Sequence, residues 1–244
     1  MGAGLERSAW EALHQVIDPE LDEPITDLGF VRSLRVGESG EIEAHLRLPT
    51  SFCAPNFAYL MASDAKDVLR ALPGVTGVLV ELDDHHDSEL INAGLAADAG
   101  YRDTFPGEAE QDLAELRATF RRKAHAAAME RVLTRLLKDR PELNEADLHA
   151  ITVADLPEEP ATRSLLNRRA AVGFDNSASA LVLVDDEGRP CTPEQVPFRL
   201  RFARATRISV EGNSHFCRGL LRTRYPGSAA DQAPRAMTSE GRAR

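Results

Sequence analysis

Apolar residues recur along the first eighty positions with two alternating periods. Leu5, Trp10, Leu13, Val16 and Ile17 follow helical spacing. Pro19 closes that run, because the residue before a proline is pushed out of α geometry. Asp18 to Leu28 holds two prolines and several carboxylates and reads as a loop. Phe30 to Val36 then reads as a strand, with Phe30, Leu34 and Val36 on one face. Gly37-Glu38-Ser39-Gly40 is a turn. Ile42 to Leu48 is a second strand, in which Ile42, Ala44, Leu46 and Leu48 alternate with Glu43, His45 and Arg47. Such alternation marks a sheet with one buried face, and the two strands form a hairpin. Pro55 opens a helix, where its fixed φ costs little, and Phe57, Leu60, Met61, Ala65, Val68, Leu69 and Leu72 supply the stripe. Pro73-Gly74 stops it. Val75 to Leu82 is a third strand, with Val78, Val80 and Leu82 alternating. The order is α-β-β-α-β, and the strand–helix–strand crossover makes the second and third strands parallel.

The second half reads differently. Glu108 to Arg140 is one long, highly charged helix with Leu113, Leu116, Phe120, Ala127 and Leu136 near one face, ended by Pro141. A shorter helix over 144–148 starts at Asn144 as its cap. Leu156 to Pro160 is a connector. Ala180 to Val184, Phe198 to Phe202 and Arg207 to Val210 read as strands, and Asp186-Glu187-Gly188 as a turn. The basic residues Arg199, Arg201, Arg204 and Arg207 then fall on a solvent face; a docking surface for an acidic partner is the other reading. Pro226 to Arg244 has almost nothing to bury and is expected to be disordered and removable without loss of stability.

The fold class expected is thus α/β (α+β): a small α-β-β-α-β domain over 1–100, a mixed α/β extension over 101–225 that begins with the long helix, and a tail over 226–244. The first domain is expected to fold alone, with the extension supplying partner recognition.

Composition narrows the setting. The chain has 244 residues, 43% of them hydrophobic but only 5% aromatic, so aliphatic side chains must fill the core. A net charge of −10 disfavours nucleic acid and anionic membranes as partners. No segment reaches the roughly 20 apolar residues that span a bilayer. Met1 to Glu11 lacks a signal-peptide pattern. Three widely spaced cysteines do not make a disulfide framework and fit reduced thiols in a cytoplasmic setting. No G-x-G-x-x-G, P-loop or H-E-x-x-H motif is present.

The segment with chemical character is Leu48-Pro49-Thr50-Ser51-Phe52-Cys53-Ala54-Pro55, which joins a strand to a helix. A thiol at a helix start has a lowered pKa and is the better nucleophile and metal ligand. The bland alternative is a small buried hydrophobe, the usual fate of a free cysteine. Asp18 and Glu20 read as turn caps before they read as an acid–base pair. His215-Phe216-Cys217 together with Cys191 makes an incomplete zinc set, and buried thiols are the simpler reading.

Asp18-Pro19-Glu20-Leu21, Asp27-Leu28-Gly29-Phe30-Val31, and Pro49-Thr50 with Cys53 and Pro55 resemble the metal–sulfur cluster assembly family typified by PaaD-like and SufT-like proteins. The resemblance covers roughly residues 5 to 85. It implies a role in iron–sulfur cluster assembly or delivery, with a loop cysteine as the reactive or ligating group. The family's loop runs Pro-Thr, three residues, then Cys-Pro; here Ala54 stands at that cysteine position and Cys53 comes one residue early.

Hairpin topology places Asp27 near Cys53, and the parallel crossover brings Asp83-Asp84-His85-His86-Asp87 to the same edge. The candidate cofactor-binding residues are therefore Cys53, Asp27 and Thr50, and the candidate metal ligands Cys53, His85, His86 and Asp84, imidazole and carboxylate both suiting iron or zinc. A solvated polar loop is the alternative. The expected function is a cluster or metal-centre maturation factor in which Cys53 transiently holds a cluster or iron. The expected partners are a client metalloenzyme and other cluster-assembly proteins. A second reading is a dedicated adaptor or chaperone for a client such as a multicomponent oxygenase. A third, an enzyme with Cys53 as nucleophile, lacks a histidine adjacent in sequence, and no catalytic residue is assigned.

Overall fold

The computed structural model describes residues 2–106 and 113–232. Its elements are α1 (Gly2–Leu13), β1 (Ile17–Asp18), β2 (Glu23–Pro24), β3 (Val31–Val36), β4 (Glu41–Arg47), α2 (Pro55–Arg70), β5 (Gly77–Asp83), α3 (Ser88–Ala96), α4 (Tyr101–Thr104), α5 (Leu113–Asp139), α6 (Pro160–Ala171) and α7 (Val196–Arg224), with three short 3-10 turns after α5 and α7. The fold is α/β. Among the described residues no helix is long and apolar enough to cross a membrane.

The chain forms two compact units, residues 1–113 with 214–244, and residues 114–213. The boundaries at 100 and 225 expected from the order of elements lie elsewhere than those of these units. The first unit carries the three-stranded sheet β3-β4-β5, antiparallel between β3 and β4 and parallel between β4 and β5. Ile42, Ala44 and Leu46 are buried along β4, with Leu48 just beyond it, and Val80 and Leu82 along β5, as their alternation requires. The α2 stripe of Ala58, Met61, Ala62, Ala65 and Leu69 packs against them in one cluster that also takes in Leu13 and Val16. Gly40 closes the β3–β4 turn at φ +94, and a Cβ there would stand 2.3 Å from the Gly74 carbonyl oxygen.

The strands expected over 198–202 and 207–210 are instead part of one helix, α7. Val196, Leu200 and Ala203 are buried at helical spacing while Phe198 and Phe202 are 69% and 46% exposed. Arginines between large apolar residues mimic a period of two, but the buried set follows 3.6. Ala180 to Val184 contributes only isolated bridges, Thr152 with Leu181 and Val184 with Pro190. The long charged helix is present as α5; the start expected at residue 108 lies outside the described residues. The shorter helix after it is a 3-10 turn over Glu145–Ala150, capped by Asn144 as its side chain foretold.

The last helix returns to the first unit. Leu221 is fully buried in the first unit's core. Its Cδ2 would be 3.2 Å from a Cβ on Gly29. Arg218 donates to the Asp27 carbonyl at 2.7 Å and pairs with Glu23. Beyond it, Ser228–Gln232 forms a 3-10 turn, Ser228 is buried and Asp231 pairs with Arg47 at 2.7 Å. Residues 226–232 are therefore part of the first unit's packing rather than a solvated tail, and the rest of the expected tail lies outside the described residues. Ending the chain after Tyr225 is expected to lower Tm, and Leu221→Ala to cost about 2–5 kcal/mol by denaturant unfolding. A truncated chain with unchanged Tm would show the docking to be inconsequential.

The second unit buries ionisable groups. Glu130 is fully buried and held ionised by Arg204 at 3.0 Å and by Arg207. Arg169 is buried and donates to the carbonyls of Asp175, Leu181 and Val182. His125 is 1% exposed, edge-on to Phe174 at 5.0 Å, and burial beside Arg169 and Arg199 pushes its pKa down to about 3. An unfolded histidine takes its proton near pH 6.5. Between that pH and about 3 the unfolded chain thus binds a proton the folded one refuses, so stability is full above the window and falls as pH drops through it. Wild type is expected to lose roughly 2–3 kcal/mol more than His125→Leu between pH 7 and pH 4.5 in denaturant titrations. Equal losses would mean that His125 is charged in the fold.

Candidate functional site

The parallel pairing of β4 with β5 ends at Arg47 opposite Asp83, so the segments leaving both strands run side by side. Residues 48–54 carry the chain from β4 to α2, and 84–87 from β5 to α3. The two are stitched together by backbone and imidazole. The His86 amide donates to the Ser51 carbonyl at 2.8 Å. His85 Nε2 lies 2.8 Å from the Cys53 carbonyl, and the Asp87 amide donates to His85 Nδ1 at 3.1 Å. A carbonyl only accepts and an amide N–H only donates, so His85 is the neutral Nε2–H tautomer with both nitrogens committed. Its side chain is 1% exposed.

Cys53 is half-buried against the first unit's core. Thr50 Oγ1 lies 3.5 Å from its sulfur and accepts the Phe52 amide at 3.2 Å, which tightens the turn before it. Phe52 projects 78% exposed beside the exposed His86, ring centroids 5.6 Å apart. Ala54 is the helix cap, exposed, with Pro55 at the first helical position.

The candidate metal ligands are thus neighbours in space without forming a ligand set. His85 has no free lone pair, because both nitrogens hold the loop. Asp84, at φ 54, gives its carbonyl to Arg224 and its carboxylate to the Tyr225 hydroxyl at 3.2 Å. Among the described residues no three His, Cys, Asp or Glu side chains are gathered as a metal site. Asp27 shares a polar cluster with Thr26 and His14, at 3.3 and 3.4 Å. Asp18 accepts the Glu20 and Leu21 amides, both at 2.9 Å, as a turn cap does. Burial pushes its pKa up to about 6 against those two bonds.

The sequence did not reveal the role of the last helix here. Cys217, read with Cys191 as a partial zinc set, belongs to the first unit, and Cys191 to the second. Burial pushes the Cys217 thiol up to about 12, with Asp18, Cys53 and Glu20 adding to the rise. Burial also raises Cys191. On the open sheet face, His45 bridges Asp83 and Glu43, each at 2.9 Å, and these carboxylates hold it protonated to higher pH. Only helical spacing from Ser214 through Leu221 signals which face of α7 is covered, and nothing in that spacing says by what.

Residues 6–80 match the family described as iron–sulfur cluster assembly protein. Over 84 residues, 34% of this chain, the sequence is 32% identical to an uncharacterized protein of Methanocaldococcus jannaschii, covering 86% of it. The chain belongs to the iron–sulfur cluster assembly family. It is also 36% identical over 81 residues to an iron–sulfur cluster carrier protein of Mycobacterium tuberculosis and 32% identical over 90 residues to one of Mycobacterium leprae. Those stretches are 32% and 36% of this chain and 20% and 22% of the carriers, so the chain spans about a fifth of their length. No solved structure is significantly similar.

The family match contains the Cys53 loop but not α5, α6 or α7. Within it, the one-residue shift of the cysteine has a physical consequence. Position 54 is the exposed helix cap, whereas position 53 turns its side chain toward the core. Alkylation followed by mass spectrometry is expected to label Cys53 faster than Cys217 or Cys191, whose thiols burial holds protonated. Equal rates would mean that the loop shields Cys53 as fully as the core shields the others.

Proposed function

We propose that this protein is an iron–sulfur cluster assembly or maturation factor in which Cys53 receives a cluster, or iron, as transient cargo and passes it on. The observation that carries this reading is a half-buried thiol fixed between a strand and a helix, inside the segment that matches the family. Its loop is held from both sides, by Thr50 within and His85 across. A ligand on such a loop needs little ordering when cargo arrives, which favours capture. A half-exposed sulfur leaves room for the receiving protein's own ligands, which favours release. Phe52 and His86 form the aromatic rim beside it, where a partner would land. The partners are other cluster-assembly proteins and a client metalloenzyme in the cytoplasm, and the protein itself carries out no turnover.

One observation favours a second reading, a dedicated adaptor for such a client. Residues 114–213 form a compact unit outside the family match and carry exposed Phe198, Phe202 and Ile208. Anaerobic incubation of the full chain with ferrous iron and sulfide separates the two. Wild type is expected to acquire iron, acid-labile sulfide and visible sulfur-to-iron absorption, and to pass them to an apo-ferredoxin. Cys53→Ser is expected to lose most of this uptake. Wild type that takes up neither iron nor sulfide overturns the carrier reading in favour of the adaptor, and uptake unchanged in Cys53→Ser removes Cys53 from the role.

A further inference from the structure

Two features that a bare family domain lacks, the displaced cysteine and the returning helix, meet at one place. The covered face of α7 runs through Ser214, Cys217, Arg218, Leu221 and Arg224. Ser214 and Arg218 reach Glu23, and Leu221 sits against Gly29. Arg224 donates to the Leu48 carbonyl at 3.1 Å and to that of Asp84. Leu48 and Asp84 are the first residues of the two segments that enclose Cys53. Arg224 therefore anchors the helix where both segments begin, and Cys217 lies about two turns earlier on the same inward face. Cys53 and Cys217 both pack half-buried against the same apolar cluster, and Cys53 adds to the rise that burial imposes on the Cys217 thiol.

From this we infer that Cys217 is the partner thiol of Cys53, and that the two sulfurs together form a soft-metal site by which the chain grips its cargo. This deepens the carrier reading and rests on it for the identity of the cargo. Paired thiolates select soft or borderline ions and iron–sulfur clusters over hard cations. The carboxylates of Asp18 and Glu20 add to the rise that burial imposes on the Cys217 thiol, so the site favours a cationic guest. Binding exchanges S–H for S–metal bonds: each thiol releases its proton to solvent as its sulfur bonds the metal, and no electrons are transferred. The remaining coordination positions are left to inorganic sulfide, solvent or a receiving protein. A cysteine at the exposed position 54 would stand outside this face, which gives the one-residue shift a purpose.

The test is a cadmium titration of the full chain under reducing conditions, read by ultraviolet thiolate-to-cadmium absorption. Wild type and Cys191→Ala are expected to show one ion with the intensity of two thiolates. Cys53→Ser and Cys217→Ser are each expected to show about half that intensity and an affinity weaker by about tenfold or more. Wild-type intensity and affinity in Cys217→Ser would overturn the pair. A variant that fails to fold leaves a second measurement on wild type: a short bifunctional thiol cross-linker is expected to join Cys53 to Cys217 within one chain. Single modification of both cysteines with no joined product would also overturn it. A chain that binds cadmium through both thiols yet takes up no iron–sulfur cluster would support the pair and refute the carrier reading, so the two failures are distinct.

Discussion

The parallel register of β4 and β5 is the constraint on which the site depends. With Leu46 opposite Leu82 and Arg47 opposite Asp83, the segments that leave the two strands emerge side by side. A slip by one residue would turn Ile42, Ala44 and Leu46 out of the core, so burial fixes the register firmly. Once it is fixed, the His86 amide meets Ser51 and the His85 imidazole meets the Cys53 carbonyl. The position of the thiol is thus inherited from sheet packing through a histidine that acts as a strut. Imidazole is suited to this because its two nitrogens donate and accept at opposite edges of a rigid ring.

The second constraint is electrostatic. The chain is strongly acidic, and the loops 18–29 and 83–87 hold eight of its 39 acidic residues. Its last helix supplies the compensating cations. Arg218 takes Glu23 and the Asp27 carbonyl, and Arg224 takes the Leu48 and Asp84 carbonyls. Arg47, from inside the sheet, reaches Asp231 and the Gly29 carbonyl. Arginine suits this work because its planar fork meets carbonyl and carboxylate oxygens together and keeps its charge when covered. The same docking sets Cys217 against the core that Cys53 also faces, so one helix both completes that core and furnishes a second sulfur.

Much of the first unit was legible because its elements are local and their periods clean. The alternation of Ile42, Ala44, Leu46 and Leu48, the Pro55 helix start and the Pro73-Gly74 stop determine strand, helix and turn without reference to anything distant. The loop carrying Cys53 and its family resemblance follow from the same stretch. Where two periods fit, the sequence failed: Phe198, Leu200 and Phe202 satisfy a strand, while Val196, Leu200 and Ala203 satisfy the helix that forms. A pattern serving both periods is decided by which face finds a core, and a single sequence does not contain that core.

Tertiary structure alone decided the rest of the site. His85 and Asp84 looked like ligands because imidazole and carboxylate bind metals, yet packing turned them to the Cys53 carbonyl and to Tyr225. Cys217 stands 164 positions from Cys53 in a helix outside the family match, and no local pattern links the two. The sequence by itself determined the chemistry available, one loop thiol in an α-β-β-α-β frame. The fold determined which side chains share that thiol's surroundings, because hydrogen bonds and burial act over a few ångströms of space, whatever the length of chain between the groups they join.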